Sequence, residues 1–252
     1  MSTKAIIQAR MGSTRLPGKI LMKLNGISIL ECLLKQISFS VKLDGFILAT
    51  TLNEEDDIIE TFAKENSIDF FRGSSSDVLD RYFQCAKKHS VDNIVRITSD
   101  CPLLDPQILD KVISLFITRK YDYVNNFFKR TYPFGTEVEV FSFNTLEKVW
   151  KNAKLYSQRE HVTPYIYDNP NLFSIGYIEN DINLSNLHWA VDRIDDLKFV
   201  RMIYQNIAKT PILLSDIMKL LNQNPSLLDI NKNTNPREGY EKSLLDDSNK
   251  HS

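Results

Sequence analysis

A loop with three cations and two glycines follows the first strand-like segment of the chain. Its sequence is Gln8-Ala9-Arg10-Met11-Gly12-Ser13-Thr14-Arg15-Leu16-Pro17-Gly18-Lys19. Guanidinium and ammonium groups bind phosphate oxygens, and glycine lets the backbone approach an anion closely. The segment therefore predicts a polyphosphate-binding loop with Arg10, Arg15 and Lys19 as its charged contacts. An ordinary solvated basic loop is the structural alternative.

The spacing of this loop excludes two common phosphate-binding motifs. A Walker A loop has four residues between its glycines and a Ser or Thr after its lysine. Here five residues separate Gly12 from Gly18, and Ile20 follows the lysine. The dinucleotide fingerprint Gly-x-Gly-x-x-Gly is also absent from the sequence. The loop therefore belongs to neither class.

Two aspartates that follow strand-like segments are candidate ligands for a divalent cation. Asp100 comes directly after the fourth predicted strand, and Asp192 follows the segment 187–191. Magnesium that bridges nucleotide phosphates is usually held by one or two carboxylates together with water. Each aspartate has a structural alternative, since Asp100 could belong to a turn and Asp192 could cap the next helix. Asp105, directly before Pro106, fits a helix N-cap better than Asp100 does.

Strand-like and helix-like segments alternate through the first half of the chain. Strand patterns at 4–9, 45–50, 70–71 and 93–98 are separated by helical patterns, the first of which opens with the capping box of Ser28 and Glu31. This alternation predicts an α/β fold with a mostly parallel sheet and helices on both faces. In such sheets ligands bind at the carboxyl ends of the strands. The basic loop and Asp100 should meet at that edge.

The pattern changes after about Tyr121. Strands are expected at 137–143, 173–179 and 187–191, and helices at 144–154, 158–168 and 194–206. We expect residues 1–222 to form one domain, with 121–170 as an insertion or arm on it. The residues from 223 to 252 are rich in Asn, Lys and Ser, and we expect them to form an extended polar C-terminal tail.

Composition places the chain among globular proteins. It has 252 residues, of which 42% are hydrophobic and 25% charged, and its 31 basic and 32 acidic residues leave a net charge of -1. That balance argues against a protein that coats nucleic acid, and no apolar run reaches the ~20 residues of a membrane-spanning helix. Three cysteines without a Cys-x-x-Cys pair and an N-terminus without a signal-peptide apolar stretch predict a cytoplasmic protein. The four histidines lack the spacing of a zinc site.

Three motifs together resemble those of sugar-activating cytidylyltransferases. They are the loop at 8–19, Ser99-Asp-Cys-Pro-Leu-Leu-Asp-Pro106, and Trp189-Ala-Val-Asp-Arg-Ile-Asp-Asp-Leu197, in this order. The branch that the chain resembles is the spore coat polysaccharide biosynthesis protein F group, which is related to the synthetases of CMP-sialic, CMP-pseudaminic and CMP-3-deoxy-manno-octulosonic acid. The likeness runs from about Lys4 to Tyr204 and weakly through 238–240. One departure is Arg-Ile-Asp after Asp192, where relatives usually carry Thr-Pro-Glu.

The resemblance implies a GT-A-like nucleotidyltransferase fold that binds CTP and Mg²⁺, with an arm for dimerisation and acceptor binding, and a homodimer. The implied nucleotide-binding residues are Gln8, Ala9, Arg10, Gly12, Ser13, Arg15, Lys19, Gly73, Asp77, Arg81 and Ser99. The implied catalytic residues are Arg15, Lys19 and Asp100, and the implied metal ligands are Asp100 and Asp192. The implied acceptor-binding residues are Glu137, Glu139, Arg159 and His161.

Some of these residues also have structural interpretations. Asp77 could cap the helix that follows the Ser-rich loop at 74–76. Glu137 and Glu139 point to one face of a strand, which suits either a binding site or a polar face. A single histidine in a helix, such as His161, is more often structural than catalytic.

The reaction that the resemblance implies is transfer of CMP from CTP to an acidic sugar or a sugar or polyol phosphate, with release of pyrophosphate, for cell-surface polysaccharide or glycan synthesis. In-line attack on the α-phosphate needs positioning and charge neutralisation and no covalent nucleophile. A glycosyltransferase of the same fold, using a nucleotide-sugar donor, is the main alternative. It typically needs an Asp-x-Asp metal motif, which this sequence lacks. A non-enzymatic CTP sensor is the second alternative.

Overall fold

A seven-stranded sheet forms the centre of the protein in the computed structural model, which describes residues 1–235 and 238–250. The strands assigned in these residues are β1 (Thr3–Gln8), β2 (Lys23–Leu24), β3 (Ile27–Ser28), β4 (Gly45–Thr51), β5 (Asp69–Gly73), β6 (Asn93–Thr98), β7 (Tyr123–Asn125), β8 (Glu139–Ser142) and β9 (Ile175–Tyr177). The sheet order is β5-β4-β1-β6-β8-β7-β9, and β2 and β3 form a separate hairpin. β8 is antiparallel to β6 and β7, whereas the other neighbours run parallel. The predicted mostly parallel sheet is confirmed.

Helices connect and cover these strands. In the described residues they are α1 (Ile29–Ile37), α2 (Asp57–Glu65), α3 (Val78–Lys88), α4 (Pro106–Ile117), α5 (Phe143–Asn152), α6 (Tyr156–His161), α7 (Pro164–Asp168), α8 (Ile194–Asn206), α9 (Leu214–Gln223) and α10 (Glu238–Lys250). Short 3-10 helices occur at Lys19–Leu21, Glu54–Asp56, Pro170–Leu172 and Pro225–Asp229. The predicted capping box of α1 is present, since the Ser28 hydroxyl accepts from the Glu31 amide and the Glu31 carboxylate accepts from the Ser28 amide.

Alternate side chains of β1 enter two different hydrophobic cores. Ala5 and Ile7 pack in the core that holds apolar side chains of α1, α2 and α4. Ile6 enters the core on the opposite face, which contains side chains of α3, α5 and α7. A third core surrounds Trp189 and the apolar faces of α8 and α9. The period-two alternation of a strand therefore places helices on both faces, as the sequence predicts.

The carboxyl ends of β1 and β6 lie side by side. Gln8, the last residue of β1, is in register with Thr98, the last residue of β6. The Ser99 amide donates to the Gln8 carbonyl over 3.2 Å, so the pairing continues one residue beyond β6. The basic loop and the segment that begins with Ser99 therefore leave the sheet from adjacent positions.

Three expected elements differ from the structure. The segment 121–170 supplies β7 and β8 to the central sheet, so these strands belong to the core of the domain. The expected strand at 187–191 reduces to a single bridge between His188 and Phe134. The expected helix at 158–168 is divided into α6 and α7, because Val162 has a φ of 73° and Pro164 starts a new helix.

The expected C-terminal tail is not extended within its described residues, 223–235 and 238–250. Residues 225–229 form a 3-10 helix and 238–250 form α10. α10 buries Ser243 and Asp247 instead of an apolar stripe, which explains why hydrophobic periodicity does not reveal it. Residues 236, 237, 251 and 252 of the expected tail lie outside the described residues.

Neither a membrane-spanning helix nor a disulfide is found in the part of the chain that the structure describes. Within residues 1–235 and 238–250, every helix is too short or too polar to cross a bilayer. Cys32, Cys85 and Cys101 are all buried and free.

Candidate active site

A cavity of about 510 Å³ lies at the carboxyl edge of β1 and β6. Its lining includes Gln8, Ala9, Arg10, Ser13, Arg15, Lys19, Arg81, Ser99, Asp100, Tyr156, Glu160, His161, Asp192, Glu238, Gly239, Lys242, Ser243 and Asp246. The floor comes from the basic loop and the segment after β6, one wall comes from α3 and α6, and α10 forms the roof. The sheet edge thus supplies Arg10, Arg15, Lys19 and Asp100, as expected for a parallel α/β fold.

Lys19 lies at the electrostatic centre of the cavity. Its Nζ donates to Asp100 Oδ2 over 2.7 Å and to Asp192 Oδ1 over 2.9 Å, and only 10% of the side chain is exposed. Burial alone would lower the pKa of Lys19, but the charges of the two carboxylates raise it above its ordinary value. The ammonium therefore stays charged and holds together two carboxylates from distant parts of the chain.

Asp100 is ionised under all ordinary conditions. Burial would raise its pKa, but the charge and hydrogen bond of Lys19, with further hydrogen bonds from Thr98 and Cys101, lower it to about 2. Burial and the neighbouring Asp100 raise the pKa of the Cys101 thiol well above its usual range. Cys101 is therefore protonated and packs beneath the carboxylate, so it is not a thiolate nucleophile.

Asp192 pairs with cations and does not cap α8. Its Oδ1 accepts from Arg15 Nη2 over 2.6 Å in addition to Lys19. Asp196 performs the capping instead, since its Oδ2 accepts from the amides of Asp192 and Arg193. These contacts decide between the two sequence-based interpretations of Asp192 in favour of an ionic role.

The backbone fixes the relative position of the two aspartates. The Val191 amide, one residue before Asp192, donates to the Asp100 carbonyl over 2.9 Å. Two carboxylates that reach one ammonium could equally hold one divalent cation that keeps several waters and binds phosphate oxygens. No group of three or more His, Cys, Asp or Glu side chains suited to a metal ion occurs within 1–235 and 238–250. The donor set therefore fits a cation that arrives with a phosphorylated substrate better than a permanently caged ion.

The basic loop is held by its own backbone and by one buried carboxylate. The amides of Ser13 and Gly18 both donate to the Met11 carbonyl, and Gly18 has a left-handed φ of 67°. The Met11 amide donates to Asp56 Oδ1 over 2.7 Å. The Ser13 amide is thus used inside the loop and is not free to bind an anion. A Cβ on Gly12 would meet Glu55 Oε1 at 2.7 Å, so Gly12 packs against that side chain and does not line the cavity.

Gly73, Asp77 and Arg159 support the wall and do not line the cavity. Asp77 caps α3 through the Asp80 amide, and its other oxygen accepts from Arg159 Nε over 2.9 Å. A Cβ on Gly73 would come within 3.1 Å of the Arg81 Cγ, so glycine leaves space for that side chain. Asp77 and Arg159 join α3 to α6, and the contacts of Gly73, Asp77 and Arg159 with ligands stay predictions.

Arg81 does reach the cavity, and it is almost fully buried. Its Nη1 donates to the Ser74 carbonyl over 2.6 Å, whereas its buried Nε has no hydrogen-bond partner among the described residues. Burial lowers the pKa of Arg81 below its ordinary value, although the guanidinium remains protonated. An unpartnered buried donor at the cavity wall suits an anionic or carbonyl-bearing ligand.

Glu137 and Glu139 lie outside the cavity as well. Glu139 is buried, forms an ion pair with Arg96 and accepts from the Tyr123 hydroxyl over 2.7 Å. Arg96 Nη2 in turn donates to Gln8 Oε1 over 3.1 Å. Glu137 pairs with Arg130 and accepts from the Gly135 amide. The two glutamates therefore position neighbouring groups, and their contact with an acceptor stays a prediction.

His161 is the predicted acceptor-side residue that does line the cavity. Its Nε2 lies 3.0 Å from Ser243 Oγ of α10, and the Tyr240 ring packs edge-on at 5.1 Å between centroids. Burial, together with the charges of Arg96 and Arg10, lowers its pKa to about 4. His161 is therefore neutral at neutral pH and closed off by α10.

Sequence reasoning missed the residues that α6 and α10 add to the cavity. They are Tyr156 and Glu160 of α6 and Glu238, Gly239, Lys242, Ser243 and Asp246 of α10. Glu160 has its pKa raised by burial and lies 3.4 Å from Arg10 Nη2. The weak family likeness at 238–240 is the one sequence signal that pointed to α10.

These features define an α/β nucleotidyltransferase: a basic loop after the first strand faces two carboxylates across one cavity at the sheet edge. The chain belongs to the cytidylyltransferase family, whose model matches residues 4–234.

Proteins of similar sequence and structure span nearly the whole chain. An uncharacterized protein of Methanocaldococcus jannaschii is 41% identical over 235 residues, which cover 92% of this chain and 96% of that protein. The spore coat polysaccharide biosynthesis protein SpsF of Bacillus subtilis is 34% identical over 228 residues, covering 87% and 94%. A solved cytidylyltransferase of Leptospira borgpetersenii superposes with a TM-score of 0.87 at 34% identity, covering 93% of this chain and 98% of that one.

Proposed function

We propose that the protein transfers CMP from CTP to an anionic sugar or phosphorylated acceptor and releases pyrophosphate. The observation that carries this proposal is the single ammonium of Lys19 shared by Asp100 and Asp192 in the cavity. Membership of the cytidylyltransferase family supports CTP as the donor. The similarity to a spore coat polysaccharide biosynthesis protein supports a role in making cell-surface polysaccharide or glycan.

Each charged group has a distinct task in this reaction. Arg15 and Lys19 would bind the phosphates that leave as pyrophosphate, because cations at the leaving group stabilise the charge that develops there. Gln8, Ser13 and Ser99 line the same part of the cavity and would orient the nucleotide. Mg²⁺ held by Asp100 and Asp192 would screen the negative charge of the α-phosphate. No group on the protein needs to become covalently attached to CMP.

The acceptor is proposed to bind between the basic loop and the α6–α10 side of the cavity. Arg10 and Lys242 line that side together with the neutral His161. Arg10 is paired with Glu160 at 3.4 Å, a weak contact that an acceptor carboxylate or phosphate can replace. An anionic acceptor is therefore favoured over a neutral sugar. A homodimer is proposed from the family resemblance and a cytoplasmic location from the three unpaired cysteines, and sedimentation of the purified chain tests the first.

The test is incubation with α-³²P-labelled CTP, Mg²⁺ and a panel of acceptors. The panel contains a nonulosonic acid, an octulosonic acid, a sugar phosphate and a polyol phosphate. One class should yield a CMP-linked product with an equal amount of pyrophosphate, and chelation by EDTA should abolish both. Transfer of a sugar from a nucleotide-sugar donor, or no use of CTP with any acceptor, would reject the proposal.

A matched pair of variants links the activity to the site. Asp100→Asn should abolish pyrophosphate release, because the carboxylate that faces Lys19 is lost. Asp229→Asn removes an equal charge at an exposed position that pairs only with Lys232 among the described ion pairs, and it should leave activity unchanged.

A further inference from the structure

One carboxylate of α10 is bound between two guanidinium groups beside the metal-ligand candidate Asp192. Glu238 Oε2 lies 3.2 Å from Arg15 Nη1, and Arg193 Nη2 lies 2.8 and 2.7 Å from the two oxygens of Glu238. Arg15 holds Asp192 with its other terminal nitrogen. Two arginines that share one small anion form the arrangement that proteins use for carboxylate and phosphate groups.

Arg193 has no other ion pair within the described residues. Its side chain is 49% exposed and contacts the same carboxylate that Arg15 contacts. If the Glu238 carboxylate moves away, two guanidinium groups remain at the edge of the cavity with a vacant position between them.

The helix that carries Glu238 is acidic and docks on a cationic cavity. α10 contains four acidic and two basic side chains. A second contact holds α10 at a distance from Glu238. The Ser157 amide at the start of α6 donates to Asp247 over 3.2 Å. The family match ends at residue 234, before α10 begins. The contact of Glu238 therefore lies outside the residues that the family model matches.

We propose that Arg15 and Arg193 form a subsite for the terminal phosphates of the nucleotide, and that Glu238 occupies this subsite as an internal competitor when nucleotide is absent. The inference extends the proposed function, since it names a further phosphate contact and a control on nucleotide binding. Exposed ion pairs are individually weak, so a polyphosphate of higher charge displaces the carboxylate readily. Binding is nevertheless weakened by the fraction of molecules in which the subsite is closed.

Inorganic pyrophosphate with Mg²⁺ is the direct probe, because its binding does not require turnover. Calorimetric titration should show that Glu238→Gln binds pyrophosphate more tightly than the unmodified chain by about two- to tenfold. Glu241→Gln, one turn further along α10 and outside the cavity lining, removes the same charge and should bind as the unmodified chain does. Unchanged or weaker pyrophosphate binding by Glu238→Gln would overturn the proposal.

Arg193→Ala distinguishes two roles of Arg193, which are direct contact with phosphate and anchoring of α10 through Glu238. If Arg193 binds phosphate, this variant should weaken pyrophosphate binding, even though it also frees Glu238 from one partner. If Arg193 only anchors Glu238, the variant should bind pyrophosphate more tightly, and that result would reject the subsite. KM for CTP should be lowered by Glu238→Gln and raised by Arg193→Ala, with little change in kcat. A chain that binds pyrophosphate in this order but does not use CTP would reject the proposed function alone.

Discussion

The ammonium of Lys19 lies 2.7 Å from the carboxylate of Asp100, 81 residues further along the chain. Lys19 and Arg15 together neutralise Asp100 and Asp192, the candidate metal ligands. This cluster is therefore charge-balanced before any substrate enters, and its ionic groups are already in position.

Lys19→Ala should reduce pyrophosphate release by about 10²–10³ while leaving the fold intact, because one charge-stabilising contact to the leaving group is lost. Lys23→Ala is the matched control, since Lys23 is exposed and, among the ion pairs of the described residues, pairs only with Glu31 at 3.9 Å. Initial rates with saturating CTP measure the effect. Pyrophosphate release at the wild-type rate in Lys19→Ala would contradict the catalytic role assigned to Lys19.

The docking of α10 should depend on pH through His161. Its pKa in the folded protein is about 4, below the ordinary value of 6.5, so protonation favours the state in which α10 has released the ring. Arg10 and Arg96 repel the protonated ring, and Asp247 is the acidic group that attracts it. Docking is therefore complete above pH 6.5 and weakens as the pH falls toward 4.

Hydrogen exchange of the amides in 238–248, corrected for intrinsic rates, measures this docking at pH 7 and pH 5. Protection should fall at the lower pH in the unmodified chain. His161→Asn removes the titrating ring and should show much less change between the two conditions. An equal loss of protection in both proteins would assign the pH effect to another group.

Gly135→Ala should destabilise the protein and lower its activity. Gly135 has a φ of 92°, and an added Cβ would overlap the backbone of Ala190 and come within 2.6 Å of the Trp189 carbonyl carbon. Forcing this segment apart displaces the chain that leads to Asp192, and overpacking typically costs about 1–3 kcal/mol. Gly26→Ala is the control, because Gly26 also has a positive φ, of 88°, but no atom within 4 Å of the added Cβ.

Urea unfolding of the two alanine variants separates steric overlap from backbone strain. Both variants should lose stability through strain, and Gly135→Ala should lose more. Equal losses would show that the segment from Trp189 to Asp192 can move without cost.

Glu139→Ala should destabilise the protein by about 3–5 kcal/mol, because it leaves the buried guanidinium of Arg96 without its counter-ion. The Glu139 side chain is only 3% exposed, and the pKa of Arg96 is raised by this pairing, although burial opposes it. Glu137→Ala breaks a more exposed pair and should cost clearly less. The free energy of unfolding in urea tests both, and a loss below ~1 kcal/mol for Glu139→Ala would contradict the structural role assigned to this pair.

The sequence predicts the nucleotide end of the site well because that end depends on local features of a parallel sheet. The loop follows β1, Asp100 follows β6, and both positions are set by strand ends that apolar runs mark clearly. Each aspartate is a candidate ligand because it follows a strand-like segment, but the 91 residues between Asp100 and Asp192 give no local signal that the two side chains meet. The structure brings the two carboxylates to one ammonium.

The sequence predicts the opposite end poorly because the groups there are placed by helix packing. The Arg159 and Glu139 side chains have the chemistry of acceptor ligands, yet each is engaged by an oppositely charged partner that only the tertiary structure reveals. α10 escapes prediction because its buried positions are Ser243 and Asp247. Hydrophobic periodicity detects helices that bury apolar side chains, and this one docks through hydrogen bonds.

The hydrogen bond from the Val191 amide to the Asp100 carbonyl involves no side chain. The spacing of Asp100 and Asp192 is thus independent of most side-chain substitutions around them, whereas the far wall is assembled from side chains of α6 and α10. Diversification of such a chain can proceed by exchanging these helical surfaces while the distance between the two carboxylates is kept.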